Sequence, residues 1–132
     1  MIPGSFNTEC FALAQPQISL SPLRYFVINT NYKDLLQEFR GVCVVNPKLI
    51  SKNKQSRVME REGCLSFPFR PMIKVKRYNE IVVSYDIISV KNDLLGKPQL
   101  AIGPVKDHPL SGLAARVFQH EFEHLNGKSI FD

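Results

Sequence analysis

Ser111-Gly112-Leu113-Ala114-Ala115-Arg116-Val117-Phe118-Gln119-His120-Glu121-Phe122-Glu123-His124-Leu125-Asn126-Gly127 reads as a helix with both ends marked. Ser111 stands where a side-chain oxygen can cap the first turn, the helix runs from about Gly112 to Asn126, and Gly127 is placed to end it. His120 and His124 lie four residues apart, so their imidazoles project from one face a turn apart, close enough to share one ion. Glu121 stands about 100° round the helix from His120. This H-E-x-x-H spacing has a chemical logic. Neutral imidazoles offer nitrogen ligands to a divalent ion, and a carboxylate beside them takes a proton from water that the ion makes acidic.

Two histidines leave such an ion short of a third protein ligand. Only eight residues follow His124, and Asn126, Lys128 and Asp132 form no extended downstream pattern. The missing ligand is therefore sought upstream, where Cys64 in Glu62-Gly63-Cys64-Leu65-Ser66 is the candidate. Gly63 lets the backbone turn or approach closely, and a thiolate suits Fe²⁺ or Zn²⁺ while leaving one position for water. Earlier in the chain the pattern is strand-like. Leu23–Ile28, Gly41–Val45, Ile73–Arg77 and Ile81–Ile88 are short, β-branched or aromatic, and separated by Pro-, Asn- and Lys-rich stretches, which predicts a mainly antiparallel sheet. Leu35, Leu36 and Phe39 suggest a second, short helix over Lys33–Phe39. Lys48–Arg61 reads as a polar, basic surface loop, and His108, just before Pro109, as a loop residue.

The 132 residues are 44% apolar and 22% charged, an ordinary composition for one globular domain with a core large enough to hold a cleft. Three cysteines are an odd and small number, so they read as reduced thiols, with Cys10 and Cys43 in the core. The apolar runs, such as Tyr25–Ile28, stop far short of the roughly 20 residues that span a bilayer. Met1–Phe6 carry neither the basic segment nor the long apolar core of a signal peptide, so a cytoplasmic location is expected. The net charge of +5 permits contact with RNA, and Lys48, Lys52, Lys54, Arg57 and Arg61 form a basic run.

Glu62-Gly63-Cys64-Leu65-Ser66 taken with Gln119-His120-Glu121-x-x-His124-Leu125-x-Gly127 closely resembles the second and third motifs of the peptide deformylase family, E-G-C-L-S and Q-H-E-x-D-H-L-x-G. Ala14-Gln15-Pro16-Gln17-Ile18 is similar to the end of the first motif, G-x-G-x-A-A-x-Q. The likeness runs on through Val75-x-Arg77, Ile81–Asp86 and Ala115–Phe118, and so covers most of the chain from about Cys10. It departs from the pattern at Cys10 and Ala12, which replace the first-motif glycines, at Gln15 for Ala, and at Glu123 for Asp. The chain is also shorter at both ends than the typical bacterial enzyme, which suggests either a minimal, divergent member of viral or organellar kind or a chain with trimmed ends.

The resemblance implies an α+β fold, an antiparallel sheet wrapped around a C-terminal metal-binding helix, in a single metallohydrolase domain over residues 1–132. It makes Cys64, His120 and His124 the metal ligands and Glu121 the general base. Gln17 and the backbone N–H of Leu65 become the donors to the formyl oxygen. Phe11, Ala12, Glu62, Gly63, Leu113 and Val117 are implied to line the substrate site. Arg77 matches a family arginine, and on a strand it reads as a structural or ion-pairing residue, with Glu123 as partner, in preference to a substrate contact. The ion implied is a single divalent one, natively Fe²⁺, with Zn²⁺, Ni²⁺ or Co²⁺ as substitutes. The reaction implied is removal of the N-formyl group from formyl-methionine at the start of nascent polypeptides, releasing formate. A monomer is expected in the cytoplasm, or the host cytoplasm for a viral member, meeting formyl-methionyl chains at the ribosome surface, with neither DNA nor membrane as partner. Competing readings are a deformylase-like protein of altered deacylase specificity and an inactive ribosome-associated binding module. A general zinc endopeptidase is disfavoured by the missing downstream ligand.

Overall fold

In Ile81-Val82-Val83-Ser84-Tyr85-Asp86-Ile87 the odd-numbered side chains are apolar and buried and the even-numbered ones are half-buried, the period of a strand with one face on a core. The computed structural model describes residues 5–7, 12–14, 24–63 and 73–127. In chain order the elements are β1 (Ser5–Asn7), β2 (Ala12–Ala14), β3 (Tyr25–Ile28), α1 (Lys33–Phe39), β4 (Cys43–Lys52), β5 (Arg57–Gly63), β6 (Ile73–Tyr78), β7 (Glu80–Asn92), β8 (Pro98–Ser111) and α2 (Gly112–Leu125). The architecture is α+β with a C-terminal helix, as expected. Its strands fall into two sheets, ordered β1-β5-β6 and β2-β3-β4-β7-β8. Pairing is antiparallel except between β1 and β5, which run parallel.

α2 packs against both sheets, and its residues 114–121 are all buried. Phe118 meets the ring of Phe26 edge-on at 6.1 Å, and Phe26 meets Phe39 of α1 in the same manner at 5.8 Å, so both helices lock onto the inner face of β3. At the helix C-terminus Arg24 lies over the Phe122 ring and donates a hydrogen bond to Asn126 Oδ1 at 2.5 Å. Gly127, with φ +79°, turns the chain out of the helix as the sequence predicts. Ser111 occupies the N-cap position, but its side chain makes no capping hydrogen bond; Gly112 N–H donates to Asn79 O instead. Among the described residues no helix is long and apolar enough to cross a membrane.

Three readings are corrected. Lys48–Arg61 is not a loop. β4 continues to Lys52, a single 3-10 turn spans Lys54–Ser56, and β5 leaves from Arg57 as the middle strand of the smaller sheet. Pairing on both sides there overrides the poor strand propensity of its charged residues. The second correction is β8, which the prolines at 98, 104 and 109 disguise. It lies at the edge of the larger sheet, where proline is tolerated. Consequently His108 is a strand residue, its Nε2 2.7 Å from Glu38 O and its ring edge-on to Tyr85. The third is Cys43, which is half-buried rather than in the core.

Two turns have well-defined geometry. α1 ends on Arg40 in the left-handed region (φ 69°), and Gly41 follows with its N–H donated to Leu36 O. The β7–β8 turn is held by Asp93, whose Oδ1 accepts the N–H groups of Leu95 and Lys97. Leu94 and Leu95 at its tip, and Val90, Leu100 and Ile102 on its strands, are exposed.

Candidate metal centre

α2 places His120 and His124 on one face, and they are 1% and 6% exposed. Their Nε2 atoms lie 2.9 Å apart, with the rings at 70° to one another. Two nitrogens bound to one tetrahedral ion at about 2.0–2.1 Å stand roughly 3.3–3.4 Å apart, so the observed convergence is that of a pair aimed at a common point. Glu121 is fully buried beside them. A carboxylate so desolvated belongs with a cation, a proton or strong hydrogen-bond donors, which is the setting of a general base in a metal centre. The residues present therefore fit a divalent ion.

The rest of the helix face that meets β6 is polar, and each group on it is engaged. Tyr78 N–H donates to Gln119 Oε1 at 2.9 Å, and Gln119 Nε2 donates to Tyr78 O at 2.6 Å and to Ala115 O at 2.9 Å. Arg116 donates to Val75 O at 3.1 Å. Arg77 and Glu123 form the expected ion pair, Arg77 buried and Glu123 partly exposed. Arg116, Gln119 and Glu123 recur at three- and four-residue steps, a signal present in the sequence but unused in its reading, because their partners include backbone groups that no residue type announces.

The other expected site residues distribute as follows. Glu62 and Gly63 end β5, with Glu62 in register with Phe6 and Ile73, and Gly63 with Asn7. Ala12 is buried on β2, and Val117 is buried in the core. Leu113 lines a cavity of about 480 Å³ shared with Asn31, Tyr32, Lys33 and Glu38 of the α1 region. Cys64, Gln17, Leu65 and Phe11 lie outside the described residues. Among the described residues no third His, Cys, Asp or Glu joins the pair to make a ligand set.

The sequence model of the family described as Polypeptide deformylase matches residues 4–132. The chain belongs to the polypeptide deformylase family. It is 35% identical over 132 residues to a peptide deformylase of Thermotoga maritima and 32% identical to the chloroplastic peptide deformylase 1B of Oryza sativa. All of the chain is covered in both cases, but it spans only 66% of the first and 42% of the second. The chain thus has just under two thirds of the length of its Thermotoga relatives. Two solved deformylase structures are similar. A ligand-bound class I type b peptide deformylase from Acinetobacter baumannii superposes with a TM-score of 0.57 at 27% identity, over 91% of this chain and 66% of that one. A probable peptide deformylase from Synechococcus phage S-SSM7 gives 0.59 at 30% identity, over 92% and 70%.

Proposed function

We propose that this chain is a metal-dependent deformylase that hydrolyses the N-formyl group of formyl-methionine at the start of nascent polypeptides, with residues 1–132 forming one catalytic domain. The observation that carries the reading is the His120–His124 pair, Nε2 to Nε2 at 2.9 Å, beside the fully buried Glu121, in a chain of the deformylase family. His120 and His124 hold the ion, with Cys64 as the third ligand. A divalent ion there, Fe²⁺ in the native state, supplies Lewis-acid chemistry and makes water nucleophilic near neutral pH.

The chain's own residues do the remaining work. Glu121 takes a proton from the attacking water as the new C–O bond forms at the formyl carbon. Gln17 and the Leu65 N–H donate to the formyl oxygen as it gains charge. Glu121 then delivers its proton to the amine nitrogen as the C–N bond breaks, so formate and a free methionyl amino group leave. Burial of Glu121 keeps bulk water from competing for that proton. Phe11, Ala12, Glu62, Gly63, Leu113 and Val117 contribute to the substrate site. The protein acts as a cytoplasmic monomer that meets its substrate near the ribosome, where a net charge of +5 favours approach to RNA.

Formate release from formyl-Met-Ala-Ser by protein reconstituted anaerobically with Fe²⁺ or Ni²⁺ tests this, beside an acetyl-Met peptide and casein. Release confined to the formyl peptide, and lowered by a factor of about 10²–10⁴ in Glu121→Gln at equal metal content, is expected. Full occupancy with no formate from either metal form would overturn it.

A further inference from the structure

Among the described residues β6 is an outer strand of the smaller sheet, paired with β5 on one side. Its other side faces α2, and there Gln119 offers a carboxamide to both main-chain groups of one residue, Tyr78. The amide behaves as a one-residue fragment of a neighbouring strand. Its Nε2 also donates to Ala115 O one turn back, which fixes the side chain relative to its own helix, and Gln119 is only 8% exposed. The larger sheet, meanwhile, is joined to α2 through a core that includes Phe26, Val117 and Phe118. Gln119 therefore ties the smaller sheet to a helix seated on the larger one.

This tie has a bearing on the metal centre, on the reading of Cys64 as third ligand. His120 and His124 ride on α2, whereas Cys64 directly follows Gly63, the last residue of β5, which is laddered to β6 from Arg57↔Tyr78 to Glu62↔Ile73. The two halves of the ligand set thus arrive from two bodies, and their separation depends on how firmly β6 is held to α2. We infer that Gln119 is a positioning residue for the metal centre, holding the strand pair that leads to Cys64 against the helix that carries the two histidines. Its carboxamide is engaged by main-chain groups of Tyr78 and Ala115. Arg116 on Val75 O and the Arg77–Glu123 pair reinforce the same seam, and Gln119 engages both the N–H and the C=O of one β6 residue.

The test uses Co²⁺ as the ion, because a cobalt–thiolate charge-transfer band reports the sulfur ligand directly. The full chain and its Gln119→Leu and Gln119→Glu variants are titrated with Co²⁺, and each is checked for cooperative unfolding. Gln119→Glu keeps an acceptor for Tyr78 N–H but turns a second carboxylate oxygen on Tyr78 O and Ala115 O. Both variants are expected to fold and to bind Co²⁺ about 10–100-fold more weakly, the range seen when groups that orient metal ligands are removed. At equal occupancy their thiolate band should be weaker than that of the parent, and the Tyr78 amide should exchange faster. Absence of the band from the parent refutes Cys64 as ligand and with it the premise. A band in the parent that persists unchanged in both folded variants, at unchanged affinity, overturns the role of Gln119 alone. Failure of both variants to fold also overturns it, since Gln119 would then serve the whole fold rather than the ligand set.

Discussion

Gly41→Ala is expected to destabilise the chain by about 2–4 kcal/mol. A methyl group at this position would sit 2.6 Å from Ile87 Cγ1 and 2.6 Å from the Ile88 carbonyl oxygen. Neither neighbour can swing aside. Ile87 is buried on the inner face of β7, and Ile88 O is main chain that accepts the Val42 N–H at 2.9 Å. Room for the methyl must come from backing the start of β4 away from β7. Overpacking of this kind costs about 1–3 kcal/mol, and the stretched hydrogen bond adds about 1. For a chain of this size each kcal/mol moves the melting temperature by roughly 3–6 °C, so a fall of about 6–24 °C follows. The preceding residue gives the opposite sign. Arg40 has φ 69°, a conformation that strains an L-residue by about 1–2 kcal/mol, and Arg40→Gly should stabilise by about 0.5–1 kcal/mol after the added freedom of the unfolded chain is subtracted. Urea unfolding followed by circular dichroism, on both variants and the parent, measures the pair. If Gly41→Ala stays within about 0.5 kcal/mol of the parent, the steric argument for this turn is wrong.

Tyr85→Phe removes a buried hydroxyl that donates to Phe39 O at 2.9 Å and should lower stability by about 1–2 kcal/mol, read from the urea midpoint. Burial holds the Tyr85 phenol and the Cys43 thiol above their usual ranges, so at high pH the folded chain keeps protons that the unfolded chain releases. Stability should be full at neutral pH and fall as pH rises past the ordinary thiol and phenol ranges, and a pH series of melting temperatures in Tyr85→Phe should show a shallower fall. For the same reason Cys43 should alkylate more slowly than a free cysteine at pH 8, measured by peptide mass mapping after timed iodoacetamide exposure. Chelation should lower the melting temperature and readdition of Ni²⁺ restore it, by about 2.7 kcal/mol at a hundredfold excess over Kd, with the response lost in His124→Ala.

The sequence announced α2 most clearly, since a polar residue before it, the period within it and Gly127 after it agree. It announced the core of β7, Ile81–Ile88, through β-branched and aromatic residues. β5 and β8 were illegible for physical reasons. Arg57, Glu60, Arg61 and Glu62 conceal a strand that exists because β1 and β6 pair with it from both sides, and β8 is spared a proline penalty by its place at an edge. At the candidate site the spacing alone brought His120, His124 and Glu121 together, because a helix converts sequence distance into direction. Apart from the Arg77–Glu123 pair, the seam between α2 and β6 escaped notice, since its other bonds end on the main chain of a strand far away in sequence. Ser111 shows the converse, a residue of the right type at the right place whose side chain is not used as a cap.

The prolines of β8 bear on how the molecule behaves in a crowd. An outer strand of 14 residues, with exposed Leu100 and Ile102 on it and Leu94 and Leu95 at its turn, has much of what a growing intermolecular sheet requires. Each proline deletes an N–H, so a second strand laid along β8 would meet missing donors or a kinked path at residues 98, 104 and 109. The residues that hide β8 from a reader of the sequence thereby hide it from other copies of the chain. Replacing them with good strand formers would produce a more recognisable strand and a less soluble protein.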